Sequence, residues 1–109
     1  MALTTVRITF NFSLPRADFE QVCAQAAHHI ADDVPGLHWK IWSLDDAAHE
    51  FCGLYLFADA GAAHAYVNGP IIAQLKGAPF VSNFSAKPYE VIENLTAITR
   101  GPVTAAVAN

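Results

Sequence analysis

The chain has 109 residues, 53% of them hydrophobic and 15% charged, with a formal net charge of -4. A length near the common domain size points to one domain over 1–109, and a charged content well below the usual ~25% predicts apolar surface covered by a second chain. Lys and Arg are scattered singly and no apolar run approaches the roughly 18 residues of a spanning helix, so neither nucleic acid nor a membrane is expected as partner, and with no signal-peptide pattern the expected location is cytoplasmic.

In chain order, Leu3 to Phe12 alternates with period two. Val6, Ile8, Phe10 and Phe12 share one side of this strand, and Thr5, Arg7, Thr9 and Asn11 share the other. Pro15 suits the first turn of a helix, where its missing N–H costs nothing. That helix runs to about Asp32 and places Phe19, Val22, Cys23, Ala26 and Ile30 on one stripe.

Asp33-Val34-Pro35-Gly36 has the composition of a type II turn, with Gly accepting positive φ. A second strand starts at Leu37. Strict alternation groups Leu37, Trp39 and Ile41 against His38, Lys40 and Trp42, with one indole on each face. Asp45-Asp46-Ala47-Ala48 connects a hairpin to a third strand, Glu50 to Phe57. There Phe51, Gly53, Tyr55 and Phe57 share a side, and Gly53 leaves a gap that invites close approach of a backbone or ligand.

Asp59 is the expected cap of a second helix, which Gly69-Pro70 kinks or splits so that it resumes at Ile71 and ends at Gly77. Phe80 to Lys87 forms a fourth strand, with Phe80, Ser82, Phe84 and Ala86 on one side and Pro88 at its end. Val91, Ile92, Leu95 and Ile98 predict a C-terminal helix within Tyr89–Arg100, followed by a tail that is loose or draped on a partner. The order strand, helix, strand, strand, helix, strand predicts an α+β, ferredoxin-like βαββαβ antiparallel sheet with helices on one face. Its open face predicts a homodimer.

Cys23 and Cys52 form no CxxC pair and read as buried thiols. No metal site is expected, because the adjacent His28 and His29 cannot face one ion from a helix and no HxxxH spacing occurs. One histidine would suffice as an axial ligand to haem, but the sequence singles none out for it.

The stretch Pro35-Gly36-Leu37, Trp39-Lys40-Ile41-Trp42, His49-Glu50, Gly53-Leu54-Tyr55-Leu56-Phe57, Asp59 and Ala65-Tyr66 resembles the YdhR-type putative mono-oxygenase family of the dimeric α/β-barrel superfamily. Cys52, where a second glycine is expected, and Gly69-Pro70, in a helix the family runs more continuously, depart from that pattern. The resemblance implies a dimeric α/β barrel and an enzyme of small molecules, with no cofactor. The implied reaction is cofactor-independent oxygenation of an aromatic or polyketide-like substrate.

Such chemistry deprotonates an electron-rich phenol or enol, so it needs aromatic walls, a base and an oxyanion holder. The candidate catalytic residues are His38 or His64 as base, and Tyr55. The candidate substrate contacts are Trp39, Trp42, Phe57, Tyr66, Arg7 and Asn11. Two other readings use the same residues: a non-catalytic binding protein for an apolar metabolite, and a lyase or isomerase working in the same pocket. Ligand carried without turnover marks the first, and activity that persists without oxygen marks the second.

Overall fold

The computed structural model describes residues 2–103. Its elements are β1 (Thr4–Phe12), α1 (Arg16–Asp33), β2 (Leu37–Asp45), β3 (Glu50–Phe57), α2 (Ala60–Val67), α3 (Pro70–Lys76), β4 (Val81–Glu90) and α4 (Glu93–Ile98). The strands form one antiparallel sheet in the order β2-β3-β1-β4. This is the ferredoxin-like arrangement expected from the sequence, with β1 and β3 central.

Alternation decides the core. Val6, Ile8, Phe10 and Phe12 of β1, with Phe51, Tyr55 and Phe57 of β3, turn toward α1, α2 and α3 and are buried. Phe19 fastens α1 to this layer: its ring stacks on Phe12 at 4.1 Å and meets Phe51 at 5.6 Å and Phe10 at 6.0 Å. Ile30 buries the far end of the helix. Val22, expected on the same buried stripe, is instead 40% exposed, because α1 stands off the sheet between its two anchors and leaves a cavity there.

Local chemistry sets the joints. Gly36 has φ 78°, and a Cβ there would lie 2.6 Å from the Cβ of Ala62, so the turn before β2 takes glycine for both its torsion and the close approach of α2. Asp59 caps α2, its Oδ1 accepting from the Ala62 N–H at 2.8 Å. The Gly69-Pro70 pair splits the second helix, as expected, and α3 begins at Pro70 itself.

Two bulges overturn strict alternation. Leu37 pairs with Phe57 and Trp39 with Leu56, which leaves His38 as the extra residue. Beyond it Lys40, Trp42 and Leu44 stand opposite Tyr55, Gly53 and Phe51 on the helix side, and Trp39, Ile41 and Ser43 face outward. The indoles do lie on opposite faces, but Leu37 belongs with Trp42 and not with Trp39. In β4 a bulge at Asn83, whose φ is 54°, turns Val81 inward and Ser82 outward, reversing their expected sides while Phe84 and Ala86 stay inward. The strand also runs past Lys87 to Glu90, and Pro88 is tolerated because β4 is an edge.

The short C-terminal helix forms as expected, within the stretch Tyr89–Arg100, but its apolar residues do not pack. Ile92, Leu95 and Ile98 are 61%, 55% and 76% exposed. The chain then returns to its own sheet: Val103 is buried with Leu3 and Leu56 on the outer face, and the Trp39 Nε1–H donates to the Pro102 carbonyl at 3.3 Å. As far as Val103, therefore, the tail expected to be loose or draped on a partner is docked intramolecularly. Residues 104–109 lie outside the described residues.

Candidate functional site

The standoff of α1 leaves a partly open cavity of about 260 Å³ between that helix, β2, β3 and α3. Its walls are largely apolar and include the rings of Phe10, Phe19, Trp42, Phe51 and Tyr55. β2 supplies Trp42 and Lys40 because the bulge at His38 turns both inward. Gly53 then makes room for them: a Cβ at that position would meet Lys40 Cε at 3.3 Å and ring atoms of Phe51 and Tyr55 at 3.1 Å. The gap noted in the β3 aromatic row is thus filled by the stem of a lysine.

Lys40 Nζ sits 3.3 Å from the centroid of the Trp42 ring and 4.6 Å from that of Tyr55. Among the described residues no carboxylate lies within 4.0 Å of it. An ammonium in apolar surroundings without a counter-ion loses hydration, and burial holds the Lys40 pKa down to about 7; the nearby Cys23 acts weakly in the opposite sense. The ring faces also favour the cation, but a quadrupole replaces only part of the lost water. Lys40 therefore exchanges a proton near neutrality, where an exposed lysine stays charged.

Two phenols and a thiol complete the polar lining. The Tyr66 hydroxyl donates to the Tyr55 hydroxyl at 3.2 Å, so one hydrogen of the pair stays available to a ligand. Burial pushes the pKa of both phenols up, Tyr55 the more strongly, and both remain protonated donors. Half-buried Cys23 is likewise pushed up by burial, which keeps it a thiol. A shallower groove of about 390 Å³ between α1 and β2, lined by Arg16, Glu20 and Ser43, shares Phe19, Cys23, Trp42 and Phe51 with the cavity.

Of the residues singled out from sequence, Tyr55, Tyr66 and Trp42 meet at this cavity, and Phe57 packs behind it against both tyrosines. The structure does not bring the others there. His38 is exposed at its bulge, in an adjoining groove with His28 and Trp39 that Ile30, Lys40 and Trp42 also line. His64 faces a groove beside Asp59 and Tyr89. Arg7, Asn11 and Trp39 lie on the outer sheet face, where Asn11 accepts from the Asn83 amide at 2.9 Å and donates to the Ala48 carbonyl at 3.2 Å.

Sequence reasoning passed over Lys40 and Cys23 as chemistry. A signal existed for Lys40, which lies two residues from Trp42 on one strand and opposite the Gly53 hairpin arm. None of the five histidines lines the cavity, so it offers no imidazole to a metal or haem iron. Among the described residues no three His, Cys, Asp or Glu side chains cluster for metal binding, and no helix is long and apolar enough to cross a membrane.

Solved structures share the architecture. The chain is similar to a protein of unknown function from Nitrosomonas europaea, with TM-score 0.68 and 20% identity over 84% of this chain and 91% of that one. It is similar to SnoaB, a cofactor-independent oxygenase from Streptomyces nogalater, with TM-score 0.67 and 17% identity over 84% and 95%. It also resembles the heme-degrader MhuD from Mycobacterium tuberculosis, solved with two hemes bound in its active site, with TM-score 0.61 and 21% identity over 81% and 95%. At these identities the likeness is one of fold. None of the curated proteins matches the chain. Residues 5–102 match the family model described as Putative mono-oxygenase ydhR, and the chain belongs to that family.

Proposed function

We propose that the protein is a cofactor-independent mono-oxygenase of a small aromatic or polyketide-like substrate, with the cavity under α1 as its site. The observation that supports this reading is a single amine, titrating near pH 7, inside an aromatic cavity. A phenol or enol entering the cavity gives its proton to neutral Lys40, and the resulting ammonium holds the anion by charge in a low-dielectric site. The hydrogen left free by the Tyr55–Tyr66 pair is a second donor to that oxyanion. The residues expected from sequence to act as base, His38 and His64, are replaced in this reading by Lys40.

The balance needs no outside reductant. A carbanion at an activated CH₂ reduces dioxygen, one oxygen atom ends in the product carbonyl and the other in water. The four-electron oxidation of CH₂ to C=O matches the four-electron reduction of O₂. With hydroxylated polycyclic substrates, oxygen uptake is expected without added cofactor. A folded protein that turns over none of a broad panel would sink this reading. Ligand retained in native mass spectrometry without turnover would favour a binding protein, and turnover without oxygen a lyase or isomerase.

We propose further that the outer sheet face pairs with a second copy of the chain. Ile41 is 49% exposed there, Leu54 is only half-buried, and Val103 covers one end alone. A face of that character needs an apolar partner. Light scattering at micromolar concentration is expected to give the dimer mass; a monomer would refute the pairing.

A further inference from the structure

We propose that Lys40 is also a covalent capture site, where its amine adds to the carbonyl of an apolar or aromatic aldehyde and holds it as an imine. This goes beyond the oxygenase reading and does not require it, although both use one cavity.

Three observations place the chemistry. The amine is reachable from a partly open, largely apolar space of about 260 Å³ with several aromatic walls, which suits a carbonyl carried on a flat apolar body. No carboxylate among the described residues ties the amine up, and its stem is fixed between Gly53 and the Trp42 ring. The Tyr55–Tyr66 pair supplies a protonated hydroxyl in the same space. Desolvation in such a pocket leaves a large share of the amine neutral near pH 7, the form that attacks carbonyls.

The step is balanced without redox. The nitrogen lone pair forms a C–N bond, the carbonyl π pair moves to oxygen, and that oxygen is protonated. The carbinolamine then loses its hydroxyl as water, taking a proton from the tyrosine pair, and the nitrogen proton passes to the phenolate so formed to give the imine and restore the pair. Overall, aldehyde and amine become imine and water. Apolar walls that exclude water disfavour the reverse hydrolysis. The titratable groups facing Lys40 are Cys23 on α1, Tyr55 on β3 and Tyr66 on α2 in the cavity, with His28 on α1 and His38 on its own strand in the adjoining groove.

The test uses the wild-type chain with 2-naphthaldehyde and sodium cyanoborohydride, which reduces each imine to a stable secondary amine, followed by peptide mass mapping. The chain has only two other lysines, Lys76 and Lys87, both exposed, so they serve as internal controls, and the α-amino group is mapped separately. At pH 7.5 Lys40 is expected to label faster than either by roughly several hundredfold, the ratio of its neutral fraction to that of an ordinary exposed lysine. Its rate should level off above pH 7. In urea the preference should vanish. Lys40→Arg keeps the charge and should lose the label. Equal labelling of the three lysines in the folded protein, or an unlabelled Lys40, would overturn the proposal. No oxygen is read in this assay, so trapping without oxygen uptake retires the oxygenase alone, and uptake without trapping retires the imine alone.

Discussion

Replacing Lys40 by methionine is expected to slow oxygen consumption with an accepted substrate by roughly 100- to 10,000-fold, the usual contribution of a positioned proton acceptor. The wild-type kcat/KM should rise with pH through about 7 as the amine becomes neutral, and the Lys40→Met residue of activity should lack that limb. Lys40→Arg should be as inactive, since its guanidinium stays protonated. A Lys40→Met enzyme with near-normal rates and an unchanged pH profile would exclude the amine as base.

The same substitution has a stability signature that separates lost chemistry from lost folding. The folded pKa of Lys40 lies below its unfolded value of 10.5. Below about pH 7 both states are protonated, and the native state bears the full cost of an unpaired, buried ammonium. Between about 7 and 10.5 the unfolded chain binds more protons, so stability rises with pH and the cost fades. Methionine fills similar space without charge. Lys40→Met should therefore be more stable than wild type at pH 6, with the difference shrinking toward pH 10. The buried phenols cancel in the comparison, whereas Cys23, which the Lys40 charge pulls down against its burial, is raised further in Lys40→Met and stays a thiol.

Phe19→Ala is expected to cost about 3–5 kcal/mol, the range for truncating a buried phenylalanine. The ring is 2% exposed and is one of only two buried side chains on an 18-residue helix, so little else on α1 compensates. Its loss also removes the wall shared by the cavity and the groove beside Arg16 and Glu20, so the two should merge. Denaturant unfolding measures the first effect, and affinity for ligands bulkier than those the wild type accepts measures the second. A loss below about 1 kcal/mol would mean that α1 is held by contacts other than this ring.

How much was legible beforehand varies by element and for identifiable reasons. β1 and β3 were read correctly face by face, because central strands with one buried side must alternate cleanly. That Tyr55, Tyr66 and Trp42 would line one candidate cavity was legible as well, since ring-rich strands mark apolar cavities and cores alike. C-terminal periodicity misled: Leu95 and Ile98 have helical spacing but no packing partner within the described residues. The histidines drew attention by residue type; His38 and His64 are both exposed, and neither lines the candidate cavity.

By itself, then, the sequence determined the order of elements, the sheet's covered side, the Gly36 turn and the Asp59 cap, all of which rest on local torsions and periodicities. Only the tertiary structure decided the bulges at His38 and Asn83, because an extra residue is defined by what stands opposite it on another strand. One bulge reverses every side chain after it relative to strict alternation from Leu37. That reversal, together with the space at Gly53 and the standoff of α1, turns an ordinary lysine into a desolvated amine facing a cavity.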